Sequence, residues 1–568
     1  MAGEPALLLD ADLADQYRRI YRAQFRDDVA AGRKIPFLFH LCFWSFLVIP
    51  VLYLAVPHRR RPWLYRARWL VLAICAGINL WMVRNVASAN FAFAYGTGLV
   101  AAWGTIWNLT VLVWTRPQWD ARRVERYPNP EYAGEGDAGG EGDRAVSAVP
   151  VTNGHASNGH ASNGHASNGH AEIRQRKTQA AGDERTSNGH AGAGASEKRE
   201  KRQPYIYKWQ EFPEDAPFLT RLDWAFDIAT TMRLTGWNWA IHVLPSYEPP
   251  PWLDEEKKCQ APLASLPDRT RQGFTRCRTR SELLTERILK SILPCYLMID
   301  VCATIMTQDP YFILGPNDLP LPPELAAMNP FLLSLRRTSL SCVAVLVALR
   351  LAWDFGAVLL ALLCPPVLGF RADPWHLPSM TGSFTEVLDR GLAGFWGSWW
   401  HQTFRFGFAA PTRWMVRNGY LKEKSAAAAA AGALVAFVQS GFIHGTGSYT
   451  TVPDTRWWEP PVFFFLSGVG AQLQAAASRR LRSQIGPLPR WARRAGNLLF
   501  VFAWLHVTCR FLVDDFGRCG IWLWEPVPFS LARWLGLGIP GDYWWRWTRD
   551  DTFMWISGKH WWDTGFGV

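Results

Sequence analysis

Of 568 residues, 49% are hydrophobic, 19% are charged and 32 are tryptophan; the charged share is below the roughly 25% of an ordinary soluble domain, and tryptophan at this density suits membrane interfaces and aromatic-lined cavities. The net charge of +12 does not argue for nucleic acid as a partner, because Arg and Lys cluster beside apolar runs, as topology determinants do. The mean hydropathy of −0.07 averages a hydrophilic block at about 117–210 with strongly apolar flanks, and the flanks predict an all-α, polytopic integral membrane protein of about eight transmembrane helices, within a range of seven to ten.

The first 35 residues are polar and charged, so no cleavable signal peptide is visible and an N-terminal amphipathic segment is expected. Runs long enough to cross a bilayer, about 17 to 25 residues, fall at 36–56, 68–83 with its flanks, 90–114, 286–306, 339–369, 427–447, 460–477 and 497–516. The first three fill a block at 36–116. The 339–369 run is long enough for a tilted helix or a bent pair.

Residues 117–204 are expected to be a disordered cytosolic linker. From 127 onward they carry four tandem copies ending in NGH, and then a Lys/Arg/Glu-rich stretch, too polar to offset chain entropy by burial. Five-residue spacing of His155, His160, His165 and His170, with His190 beyond, fixes no metal geometry, and no metal site is expected.

Residues 205–285, with Trp224, Phe226 and Trp237 among charges, predict an amphipathic segment lying at the interface. Residues 517–568 form a Trp-rich C-terminal tail. The ten cysteines are dispersed without a CxxC pair, as small packing residues are. The sequon at Asn108 falls inside a span.

The positive-inside rule puts Arg59–Arg61, 116–126, 371–424 and 479–494 in the cytosol and the loops at 84–89, 308–338 and 448–459 opposite. The N-terminal 35 residues break the pattern, with six basic residues on the lumenal side.

Polar groups inside apolar spans are costly, so they are candidates for chemistry. His444 lies at the end of the alanine-rich run AAAAAAGALVAFVQSGFIHG. A neutral imidazole there can take a proton from a hydroxyl, or it can simply bond a neighbouring helix. In residues 373–405, Trp396, Trp399, Trp400, His401, Phe404 and Arg405 form an aromatic and cationic cluster. It reads as an interfacial belt, with a ligand role open because His401 and Arg405 would share one helix face. His506, Arg510 and Asp514 are spaced by four and predict a self-neutralising polar stripe; Arg350 and Asp354 predict a similar pair, and Asp300 has no obvious local partner. There is no phosphate loop, no Rossmann glycine fingerprint, no HxxH or HxxxH cluster, no HxxxD and no GxSxG elbow.

The stretch FTEVLDRGLAGFWGSWWHQTFR resembles the signature of the wax synthase-like acyltransferases, relatives of the membrane-bound O-acyltransferases. SGFIHG resembles that family's SG-x-x-H element, and LDWAFDIATTMRLTGWNW resembles a block common in its fungal members. The three blocks stand in order between about 220 and 450, and the resemblance takes 286–516 as the catalytic membrane domain. It implies His444 as the catalytic residue, and Trp396, Trp400, His401, Arg405, Arg413 and Ser440 as binding positions for substrate or CoA. One departure stands out. Ser398-Trp399 occupies a place where many relatives carry a basic pair, so a CoA phosphate contact would come from elsewhere, with Arg405 or Arg413 as candidates.

The resemblance further implies an O-acyltransferase of the endoplasmic reticulum, with no tightly bound cofactor and acyl-CoA, most often acetyl-CoA, as co-substrate. The acceptor implied is an apolar alcohol of terpenoid or meroterpenoid type from fungal secondary metabolism. A wax-ester-type long-chain acyltransferase, a membrane terpene cyclase using Asp300 or Asp354, and a transporter using the His506 stripe are the rival readings. If the alanine helix begins near Ser425, His444 lies about 28 Å along it, near the lumenal end.

Overall fold

The computed structural model describes residues 13–129, 205–245 and 266–568; the NGH histidines lie outside the described residues. By contact the chain divides into Met1–Arg126 with Tyr207–Val568, and Tyr127–Ile206. The first unit holds the helices. Of the second, residues 127–129 and 205–206 are described.

Among the described residues, five helices are long and apolar enough to cross a membrane: Pro62–Asn85, Phe91–Trp114, Arg280–Met306, Pro330–Leu363 and Ala426–Tyr449. A sixth is added if Arg490–Thr508 and Arg510–Arg518, bent by 42°, count as one span. The run at 36–56 is the shorter apolar helix Phe39–Ala55, and the run at 460–477 lies in the 22-residue helix Glu459–Arg480, outside that set. Of the ambiguous 339–369 run, residues 339–363 belong to one helix of 34 residues, and the rest lies beyond its end, with a separate short helix at Pro365–Leu368. At about 1.5 Å per residue the long helix exceeds a bilayer core of about 30 Å. Its first turns carry Arg336 and Arg337, which pair with the buried Asp309 at 3.7 and 2.7 Å, so the surplus length is anchored by charge.

Phe91–Trp114 is the central helix: two-thirds (67%) of its apolar window is buried, against 17% for Pro62–Asn85, which is apolar all round and faces outward. Asn90 caps it by accepting from Ala92 and Phe93 amides. Ser425 caps Ala426–Tyr449 through Ala428, and the alanine run supplies the best helix former there is.

Several expectations change. Residues 117–128, assigned to the linker, hold a helix at Pro117–Asp120 and a strand at Arg123–Pro128. Gln118 donates to the Leu54 carbonyl at 2.7 Å, and buried Arg123 pairs with Asp223 at 2.7 Å. Trp224 and Trp237, expected at the interface, are instead fully buried and meet edge to face at 5.1 Å. The charges that made 218–230 look amphipathic are largely spent on Arg123, and the opposite face closes the largest apolar core. Asn108, in the sequon, is buried and donates to the Ser45 carbonyl.

The basic N-terminal segment is the helix Leu13–Ala30, and its arginines are not free. Arg18 pairs with Glu525 at 2.7 Å, Arg22 with Asp551 at 2.9 Å and Arg26 with Asp550 at 2.7 Å. Neutralised in this way by the tail, they need not obey the charge rule that the sequence pattern suggested.

Candidate active site

His444 sits near the C-terminal end of Ala426–Tyr449, between two helices that approach it through glycine. A Cβ on Gly98 of the central helix would fall on the Thr446 carbonyl, and one on Gly447 would come within 2.7 Å of the Tyr95 ring. On the other side, Gly441 and Gly445 face Pro461, where a Cβ would come within 2.9 Å. Small residues at these positions weaken the isolated helix but let backbones touch. Thr450 stitches the contact: its Oγ1 donates to the Ala94 carbonyl at 2.8 Å and accepts from the Gly98 amide at 3.1 Å.

The imidazole of His444 stacks on Phe464 at 4.7 Å. Its Nδ1 lies 3.3 Å from the Tyr95 hydroxyl, which also donates to the His444 carbonyl at 3.0 Å. Nε2 carries no hydrogen bond among the described residues, and the side chain is half-buried. Ser440, one turn earlier, is also half-buried.

The FWG motif is a π-helical turn, Phe395–Trp399, that follows a break at Gly391 with φ +58°. Gly391 has no room for a side chain because Gln474 fills that space, accepting from the Leu392 amide at 2.8 Å. Gln474 also donates to Asn497, whose amide reaches the Leu388 carbonyl. His401 and Arg405 do not share a helix. Trp400 is extended, with ψ 156°, and the next helix runs Arg405–Arg417. The loop is closed by Arg405, which donates to the Gly397 carbonyl at 2.6 Å and to Gln402. Phe395 stacks on Trp400 at 5.7 Å.

This brings the two histidines together. His401 and His444 lie within electrostatic reach of each other. Trp396 bridges to His444 through Phe464, 6.1 Å from its own ring. His401 meets Phe404 at 5.7 Å, and Phe404 meets Trp103 of the central helix at 4.5 Å. His401 makes no hydrogen bond among the described residues. Burial, with Arg233 nearby, lowers its pKa from 6.5 to about 4, which keeps it neutral near pH 7.

A cationic face lies alongside. Arg405 and Arg413 have no carboxylate partner among the described residues. Arg413 donates to the Phe406 carbonyl and lies 4.2 Å over the Phe406 ring. Burial, with Arg390 and Arg413 nearby, draws Arg405 down to about 10, still protonated at neutral pH. His242 is pulled to about 4 by burial and by Arg405, Arg390 and Arg413, so these four groups share one neighbourhood.

Arg390 pairs with Glu386 at 3.1 Å and donates to Ser398 at 3.0 Å. At the place where relatives carry a basic pair, a guanidinium thus arrives from two turns earlier. Neither Arg390 nor His242 was singled out from the sequence. Arg390 could have been found from its place in the resembling block; His242 left no local signal.

The remaining candidates stay apart. The chain bends between His506 and Arg510, so no self-neutralising stripe forms. His506 meets Phe331 at 5.6 Å, and Asp514 accepts from Tyr311 at 2.6 Å. Asp354 pairs with Arg287 at 3.4 Å and Arg350 at 3.7 Å, and Asp300 accepts from the Ala532 amide at 2.8 Å.

No curated protein and no solved structure matches the chain. Residues 377–466, the stretch that holds His401, His444, Arg390, Arg405 and Phe464, match the model of the membrane bound O-acyl transferase family, and in that stretch the chain is similar to the family.

Proposed function

We propose that this chain is an integral membrane O-acyltransferase that moves an acyl group from acyl-CoA to a hydroxyl of an apolar acceptor, with His444 as general base. One observation carries the reading. Within the stretch similar to the O-acyltransferase family, two histidines, each with a ring nitrogen that makes no hydrogen bond among the described residues, lie within electrostatic reach of each other and near arginines that have no carboxylate partner among the described residues.

Nε2 of His444 takes the proton of the acceptor hydroxyl as its oxygen attacks the thioester carbonyl. The carbon–sulfur bond then breaks, and CoA leaves as a thiolate that recovers the proton from the imidazolium. No acyl-enzyme is formed. Arg405, Arg413 and Arg390 attract the CoA phosphates, and Trp396, Trp400 and His401 shape the wall against which the thioester lies. Ser440 lines the approach on the face of His444. A water-poor chamber favours transfer over hydrolysis.

Acetyl is the acyl group we favour, a terpenoid or meroterpenoid alcohol the acceptor, and the endoplasmic reticulum the location. These follow from the resemblance of the 220–450 blocks. Acyl-CoA and the alcohol are co-substrates, and no resident cofactor or nucleic-acid partner is invoked. An even number of crossings is favoured, which the expected eight satisfies: ion pairs join Leu13–Ala30 to Glu525, Asp550 and Asp551, so both lie on one face. The cyclase reading loses ground because Asp354 is paired with Arg287 and Arg350, and one oxygen of Asp300 accepts from the Ala532 amide.

The test is release of CoA thiol by microsomes carrying the protein, given acetyl-CoA and an extract of apolar metabolites. Extract-dependent release that falls about 10²–10⁴-fold in His444→Ala, at equal protein abundance, supports the proposal. Full release by the variant removes His444 from the mechanism. Absence of release with any acyl-CoA tried overturns the acyltransferase reading.

A further inference from the structure

A base is useful only when its lone pair points at the substrate, and imidazole can carry its single neutral proton on either nitrogen. What decides between them is the group bonded to the other nitrogen, and in this chain that group belongs to a helix far outside the motif stretch. Tyr95 is buried on the central helix, with its hydroxyl 3.0 Å from the His444 carbonyl and 3.3 Å from Nδ1.

A phenol has one proton to give. The carbonyl is the nearer partner and can only accept, so the hydroxyl proton goes there. The lone pairs of the same oxygen are then left facing Nδ1, and they make a bond only if Nδ1 carries the imidazole proton. That leaves Nε2, the unbonded nitrogen, as the bare one.

From this geometry we infer that Tyr95 is a positioning residue that holds His444 in its Nδ1–H form and so presents Nε2 as the proton acceptor. The inference deepens the acyltransferase reading and rests on it for its functional consequence. The logic matches that of a carboxylate orienting a catalytic imidazole, with a neutral group that suits an apolar span because it brings no charge to be desolvated.

The surrounding packing fits the role. The Tyr95 ring meets Phe516 edge to face at 5.5 Å and lies against Gly447. Held between these two neighbours, the ring keeps its hydroxyl at its two partners. The Gly98–Thr446 contact and the Thr450 bonds fix the register of the two helices around it. His444 itself is fixed on its far side by the stack on Phe464.

The experiment compares the full-length protein with Tyr95→Phe, which removes one oxygen and keeps the ring contacts. The first readout is ¹⁵N NMR of histidine-labelled protein, with His444→Ala used to identify the His444 signals. The expected result is a protonated Nδ1 and a bare Nε2 in the wild type, and a mixture of tautomers in Tyr95→Phe. The second is turnover: kcat falls about tenfold or more while KM for acyl-CoA stays within about twofold, because Tyr95 touches the base and not the CoA site.

A wild type with bare Nδ1 and protonated Nε2 overturns the inference without any variant, even if Tyr95→Phe fails to fold. Unchanged tautomer and turnover in a folded Tyr95→Phe overturn it as well. If the tautomer shifts as expected but the wild type transfers no acyl group, the positioning of His444 by Tyr95 stands and the acyltransferase reading falls.

Discussion

The two histidines of the site are held by opposite means. His444 is positioned by backbone touching backbone: glycines at 98, 441, 445 and 447 let three helices close on one another. His401 is positioned by side chains: a π-turn and an extended residue are tied down by Arg405, Gln402, Gln474 and stacked rings. Backbone contact leaves no slack, because one added carbon displaces a whole helix. A loop held by many side-chain bonds loses them one at a time. The first half should therefore fail sharply and the second by degrees.

The sharpest way to break this contrast is Gly98→Val. The new side chain would occupy the place of the Thr446 carbonyl, so the helices part. Overpacking of this kind costs about 1–3 kcal/mol or more, and acyl transfer should disappear along with the Tyr95–His444 contact. Thermal unfolding in detergent and thiol release check both. A variant with wild-type activity would mean that the helix contact does not set the geometry of His444.

Arg405→Gln tests the other half. It removes the charged donor to the Gly397 carbonyl, a loss of about 1.5–3 kcal/mol, and a cation from the face beside the site. KM for acyl-CoA should rise about tenfold, with a smaller fall in kcat. A wild-type KM would remove Arg405 from CoA binding.

The smallest effect expected is on pH dependence. His401 has an ordinary pKa of 6.5 when unfolded and about 4 when folded, through burial and the nearby Arg233. Between those values the unfolded chain binds the extra proton and the folded one does not. The contribution is therefore fully present above about pH 6.5 and is lost as pH falls toward 4, at about 1 kcal/mol per pH unit. His242 and His376, lowered to about 4 and about 3 by burial and neighbouring arginines, act in the same direction. Unfolding curves at pH 7 and 5.5 should show a drop in stability that shrinks in His401→Gln; an unchanged slope would exclude His401 as its source.

What could be read from the sequence was what local pattern controls. Apolar length located the spans at 90–114 and 427–447 to within a few residues. The spacing of Phe395, Trp400, His401 and Arg405 marked the motif, and His444 stood out as a polar group in an apolar run. What could not be read depended on distant partners. Tyr95 in an apolar helix looks like any core aromatic until His444 is placed beside it. Trp224 and Trp237 looked interfacial because Asp223 and Asp227 are charged, yet those charges face Arg123 from a segment assigned to the linker. The bend after Thr508 has no proline to announce it, and it dissolved a stripe that spacing alone supported.

The ion pairs between Leu13–Ala30 and the tail carry a consequence for how the molecule is made. Arg18 reaches the Leu523 carbonyl across 505 positions of chain, so its partners are synthesised long after it. During translation the early helix waits with its guanidinium groups exposed, and the closing of that ring comes after every span has been inserted. A ribosome stalled before Glu525, or a frameshift just ahead of it, would leave His401 and His444 in place and still strand this helix. Quality control in the cell would then recognise a defect far along the chain from the lesion that caused it.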